Sequence, residues 1–78
     1  MPRYHFHIRH EAAGNLERDE EGLILADVAA AKAEAVQSAK ELVIERIRAS
    51  DRIDCRFEVT DSDGNLVFQL PFRDVIRF

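Results

Sequence analysis

Seventy-eight residues, a net charge of −4 and 33% charged side chains describe one soluble α+β-sized domain, residues 1–78, whose small core leaves little room for a deep cavity. The acidic balance excludes the basic stripe of a general nucleic-acid binder, and no apolar run reaches the length of a membrane span. A single cysteine, Cys55, excludes an internal disulfide framework and, with no signal-like apolar segment near Met1, points to a reducing cytoplasm.

The stretch YHFHIRH, residues 4–10, holds all three histidines. Tyr4, Phe6 and Ile8 alternate with His5, His7 and Arg9, which is the period of a half-buried strand with its aromatic and branched residues inward. EAAGN, residues 11–15, is a turn, and a poorer strand follows around Leu16. The acidic run ERDEEG, residues 17–22, carries too many like charges for a core and reads as a loop or an exposed edge. Leu23 and Leu25 return the chain to the core.

Asp27 is placed as a helix N-cap. The segment 28–48 has no Gly or Pro and is rich in Ala, Glu, Lys and Leu, all good helix formers. Val28, Ala31, Ala35, Ala39, Leu42, Val43 and Ile47 fall on one stripe at helical spacing, whose first half is alanine and suits close packing on a sheet. Arg46, Arg48, Arg52 and Arg56 cluster in sequence and read as a solvated helix end, where positive charge suits the macrodipole.

Residues 55–72, CRFEVTDSDGNLVFQLPF, form a hairpin. Cys55, Phe57 and Val59 point inward, Asp63 and Gly64 mark the turn, and Leu66, Phe68 and Leu70 face inward on the return. Pro71 ends regular pairing. The expected fold is therefore a two-layer α+β domain, β-β-α-β-β, with an antiparallel sheet of about four strands and one long amphipathic helix on one face.

Candidate sites are sparse. His5 and His7 share one strand face roughly 6.5–7 Å apart, so the pair is a candidate metal site, with Glu58 a third ligand if its strand lies alongside. His10 has the opposite parity. With no HExxH or CxxC pattern in support, His5 and His7 are read as polar residues on an open face, and no metal or cofactor is expected. DSDGN lacks the glycine and glutamate spacing of a calcium loop. Cys55 is inward and inert without a basic neighbour, and no serine has a paired base, so the chain is not expected to be an enzyme. After the last strand, Phe72, Val75, Ile76 and Phe78 either seal the open end of the core or form an interface. The interface is the expectation carried forward, with the chain pairing with itself, as a homodimer, or with another protein, and not with membrane or nucleic acid.

On MPRYHFHIR at the start, DEEGLILADVAAAKAEA at the helix entry and FEVTDSDGNLVFQLPF near the end, the chain resembles a family of short alphaproteobacterial proteins known as a domain of unknown function. The likeness spans nearly the whole chain. It implies a small cytoplasmic domain and carries no catalytic residue onto this sequence. A weaker likeness, to HicB-type antitoxin domains, rests on a short strand, the acidic-glycine turn DEEG and a short strand ahead of an alanine-rich helix. It implies a regulatory domain that masks a partner protein, and the chain differs from it in ending with the DSDGN hairpin.

Overall fold

In the computed structural model, which describes residues 1–49 and 53–76, one helix lies on a five-stranded antiparallel sheet. The strands are β1 (Arg3–His10), β2 (Leu16–Glu17), β3 (Leu23–Ile24), β4 (Cys55–Thr60) and β5 (Leu66–Pro71), and the helix α1 spans Val28–Arg48. The order across the sheet is β2-β1-β4-β5, and β3 also pairs with β1. The fifth strand beyond the expected four is β3. It pairs with Arg3 and Tyr4, whereas β2 pairs with Ile8 and Arg9, so two short pieces share one margin of β1. Among the described residues, no helix is long and apolar enough to cross a membrane.

The helix begins where its cap dictates. The Asp27 carboxylate accepts the Ala30 N–H at 2.8 Å, satisfying one of the amides that an isolated helix end leaves unpaired. Arg46 and Arg48 occupy the last turn, where they oppose its negative end. Ala31, Ala35, Ala39 and Val43 form the buried line of α1. Their small side chains bring the helix axis near the sheet, into one core cluster with Tyr4, Cys55, Phe57, Val59 and Phe72. Ile47, expected on this line, is 53% exposed. A helix of this length runs roughly 31 Å, longer than the six-residue strands β4 and β5 at about 20 Å.

The hairpin turns as its residues suggest, with the Asp61 carboxylate accepting N–H groups of Asp63 and Asn65. Its return strand departs from simple alternation. Val59 pairs with Phe68, but the next residue, Thr60, pairs with Leu66, leaving Val67 as an inserted residue. This β-bulge reverses the parity on its far side. Leu66, expected inward, shares the open face with Thr60 and is 53% exposed, while Val67 packs against the core instead. Leu23 also differs from expectation: it lies at the sheet margin and is exposed, and Leu25 alone of the two packs on the core.

Phe72–Val75 form a 3₁₀ turn that folds back under α1. Phe72 is fully buried, its ring 4.9 Å from that of Phe57 and tilted edge-on. Phe72, one of the expected interface residues, packs in the core of its own chain. Val75 and Ile76 are partly buried against the same cluster. Phe78 and Arg52 lie outside the described residues.

Candidate functional site

The register between β1 and β4 sets His5 opposite Thr60, His7 opposite Glu58 and Arg9 opposite Arg56. All six side chains stand on the face away from the helix. Glu58 is therefore beside the histidine pair, as a third ligand would need to be. It is held elsewhere: Arg9 donates to it at 3.1 Å and Arg56 at 3.2 Å. The Arg9 hydrogen bond is the largest influence holding this carboxyl below its ordinary value, with Arg56 adding to it.

The two imidazoles do not converge on a point. They stack in parallel, 6° apart in plane and 6.1 Å between centroids, and both are turned toward Asp19 in the loop joining β2 and β3. Asp19 uses four groups there. Its N–H donates to His7 Nδ1 at 3.0 Å, and its carbonyl accepts from His5 Nδ1 at 2.9 Å. Its two carboxylate oxygens accept N–H groups of Phe6 and Gly22, each at 3.0 Å. The Phe6 amide lies on β1 between the segments paired with β3 and β2. The aspartate side chain thus satisfies a backbone donor that an interrupted edge strand would leave bare. Burial, the largest single influence, works against the Asp19 charge, but the Phe6 and Gly22 amides, with His5 and the Glu21 amide, together hold the carboxyl below its ordinary value.

A backbone N–H can only donate, so His7 Nδ1 is unprotonated, and Nε2 carries the hydrogen that reaches Thr60 Oγ1 at 3.1 Å. Both nitrogens of His7 are engaged. Burial, then the neighbouring His5, pulls the His7 pKa below 6.5. Among the described residues, no group of three His, Cys, Asp or Glu side chains is placed to hold a metal ion. What the face does offer is an open, polar cleft of 340 Å³, bordered by His5, His7, Arg18, Asp19, Thr60 and Ser62.

The loop depends on a glycine. Gly22 has φ +69°, and a Cβ there would stand 2.7 Å from the Tyr4 carbonyl oxygen and 3.0 Å from the His5 ring. Gly22→Ala is expected to cost roughly 1–2 kcal/mol from the left-handed backbone alone, and more through the collision with the β1 backbone. Gly14→Ala has a similar φ but open space around it. Urea midpoints at unchanged m check this: equal losses for the two variants would mean that Gly22 does not approach β1 as described.

A second constellation was hidden from the sequence. His10 pairs with Cys55 across β1 and β4, and its Nδ1 lies 3.3 Å from the Cys55 Sγ. The Glu17 carboxylate is 3.2 Å from the other ring nitrogen, but off the N–H direction, so that nitrogen makes no true hydrogen bond. Thiol, imidazole and carboxylate in this order resemble an activated nucleophile. Access and charge oppose that chemistry. Cys55 is 3% exposed, and burial pushes its thiol pKa up against a smaller opposing effect of Arg46. The basic neighbour that the sequence did not show is present, yet the thiol is sealed and kept protonated.

The far margin of the sheet is of another kind. β5 ends the strand order, and among the described residues only β4 pairs with it. Its sequence, LVFQLP, contains no charge. Of the expected interface residues, Phe72 is internal and Val75 and Ile76 are half-withdrawn into the core, whereas the β5 edge, open among the described residues, carries none of them. Edge position depends on strand order, which no local pattern reports.

A family model described as a domain of unknown function (DUF6894) matches residues 3–73. No curated protein and no solved structure matches the chain.

Proposed function

The chain belongs to the DUF6894 family, a family defined by its domain rather than by an activity, and we propose that it is a non-enzymatic protein-interaction domain that pairs with a second copy of itself through β5. The observation that carries this reading is the contrast between the two sheet margins. The β1 margin is covered by β2, β3 and the Asp19 loop, and the loop is heavily acidic. Among the described residues, nothing but β4 pairs with β5, so its outer margin offers backbone groups on an uncharged strand, the kind of edge to which another strand adds. The bulge at Val67 and the imino nitrogen of Pro71 bound the usable stretch, leaving Phe68, Gln69 and Leu70 between them. Two copies related by a twofold axis would join these stretches antiparallel and extend one sheet across the dimer.

Gln69 is exposed on this strand, so Gln69→Lys places like charges near each other across the axis without touching the core. Sedimentation equilibrium is the test. The expected result is a wild-type dimer at about 100 μM, the concentration matching roughly −5.5 kcal/mol of association, and a folded monomer for Gln69→Lys. A wild-type chain that remains monomeric there overturns self-association. The open edge would then be left for a strand of a different protein, as in the HicB-like reading of a domain that masks its partner.

A further inference from the structure

We propose that the loop 18–22 is a proton-released latch, which covers the middle of the β1 margin while His7 is neutral and lets go when His7 takes a second proton on Nδ1. The argument rests on the opposite polarity of two hydrogen bonds to one residue. His5 donates to the Asp19 carbonyl, a bond that an imidazolium also makes. His7 accepts from the Asp19 N–H, a bond that an imidazolium has no lone pair to make. Turning the His7 ring over does not restore it, because the protonated ring has a donor at both nitrogens. Protonation therefore removes one of the four bonds that seat Asp19. The loop, its own N–H now facing a donor, is then tied to β1 by the His5 and Phe6 bonds to Asp19 and by Arg3, which donates to the Glu21 carbonyl at 2.6 Å, while the Gly22 bond stays within the loop.

The charged groups around His7 come from every element that meets it. His5 is stacked on it from β1, Arg18 and Asp19 face it from the loop, and Glu58 faces it from β4. Arg18 and a protonated His5 repel the imidazolium. Asp19 and Glu58 attract it, but their charge is already spent on the Phe6 and Gly22 amides and on Arg9 and Arg56. Burial and His5 come first among the influences, and the His7 pKa lies below the ordinary 6.5. Because the latched state occupies the Nδ1 lone pair with the Asp19 N–H, the released state binds the proton more tightly. Latching is thus at full strength above 6.5 and is lost as pH falls through the lower value of the latched form. What opens is the β1 margin at Phe6, on the opposite side of the sheet from β5, so the outcome is independent of whether β5 pairs.

The experiment is NMR on the full chain between about pH 7.5 and about pH 5, the span over which an imidazole titrates. Ring nitrogen shifts should show His7 with hydrogen on Nε2 and none on Nδ1 at the upper end. After correction for intrinsic exchange, protection of the Phe6 and Gly22 amides should fall by up to about tenfold per pH unit below 6.5, while that of Val59 in the central strand holds. His7→Asn, whose side-chain oxygen can accept the Asp19 N–H without titrating, should make the Phe6 protection insensitive to pH. His5→Asn, which keeps a donor for the Asp19 carbonyl, should leave the response in place. A proton on His7 Nδ1 at the upper end overturns the proposal, as does Phe6 protection that stays constant across the range. Loss of Val59 protection in step with Phe6 overturns it too, since that is global unfolding, and so does a response that survives in His7→Asn.

Discussion

Phe72→Ala leaves this chain largely unfolded at 25 °C. The ring is fully buried, packs edge-on against Phe57 and closes the end of the core beneath α1. Removing a buried phenylalanine side chain costs about 3–5 kcal/mol. A domain of this size holds a net stability of roughly 3–5 kcal/mol in all, so the loss is comparable to the whole. Circular dichroism with a urea titration reads the result directly. The same variant separates the two roles that a C-terminal apolar residue can have. An interface anchor cut to alanine gives a folded, weakened dimer; a core residue cut to alanine gives an unfolded chain. A folded Phe72→Ala protein with a wild-type urea midpoint would return Phe72 to the interface and contradict its burial.

Ala35→Leu is expected to cost about 1–3 kcal/mol through overpacking. Ala35 has no exposed surface and stands in the same cluster as Val59 and Phe57. Three added carbons can be housed only by lifting the helix from the sheet, which also loosens Ala31 and Ala39 on either side. Glu41→Leu is the matched control. Glu41 is exposed, so the same side chain there changes stability by no more than about 0.5 kcal/mol. Urea midpoints of the two variants decide the point: a neutral Ala35→Leu beside a costly Glu41→Leu would mean that the helix turns its other face to the sheet.

The two margins of the sheet also separate the functional readings from each other. The proposed self-association rests on β5, and charge at Gln69 is expected to block it. The latch depends on His7 and Asp19 and responds to protons. Neither requires catalysis, and in the Cys55–His10–Glu17 line beneath the sheet burial shields the thiol and raises its pKa, which disfavours the thiolate.

What the sequence determined by itself was whatever a few neighbouring residues can settle. Asp27 ahead of an Ala-rich, Gly-free segment sets the start of α1, since capping and propensity act within one or two turns. Alternation in Tyr4, Phe6 and Ile8, and in Cys55, Phe57 and Val59, sets which side chains face the helix, since a strand repeats every two residues. It also placed His5 and His7 on one face and His10 on the other. The tertiary structure decided everything that depends on which residue lies across from which. Among the described residues, strand order left the outer side of β5 without a partner strand, and pairing register brought His10 to Cys55 and Glu58 to His7. The bulge at Val67 then turned Leu66 outward against its own alternation. Asp19 sits in a run of acids that reads locally as solvated charge. It became the hub of the histidine face only because the β2–β3 loop falls across an unpaired amide of β1, whose need for an acceptor is stronger than the preference of one carboxylate for water. Phe72 reads locally as a stray apolar residue after a proline. It is core because an 8.9 kDa chain has so little interior that the end of its sheet stays open unless the segment beyond the last strand folds back to fill it.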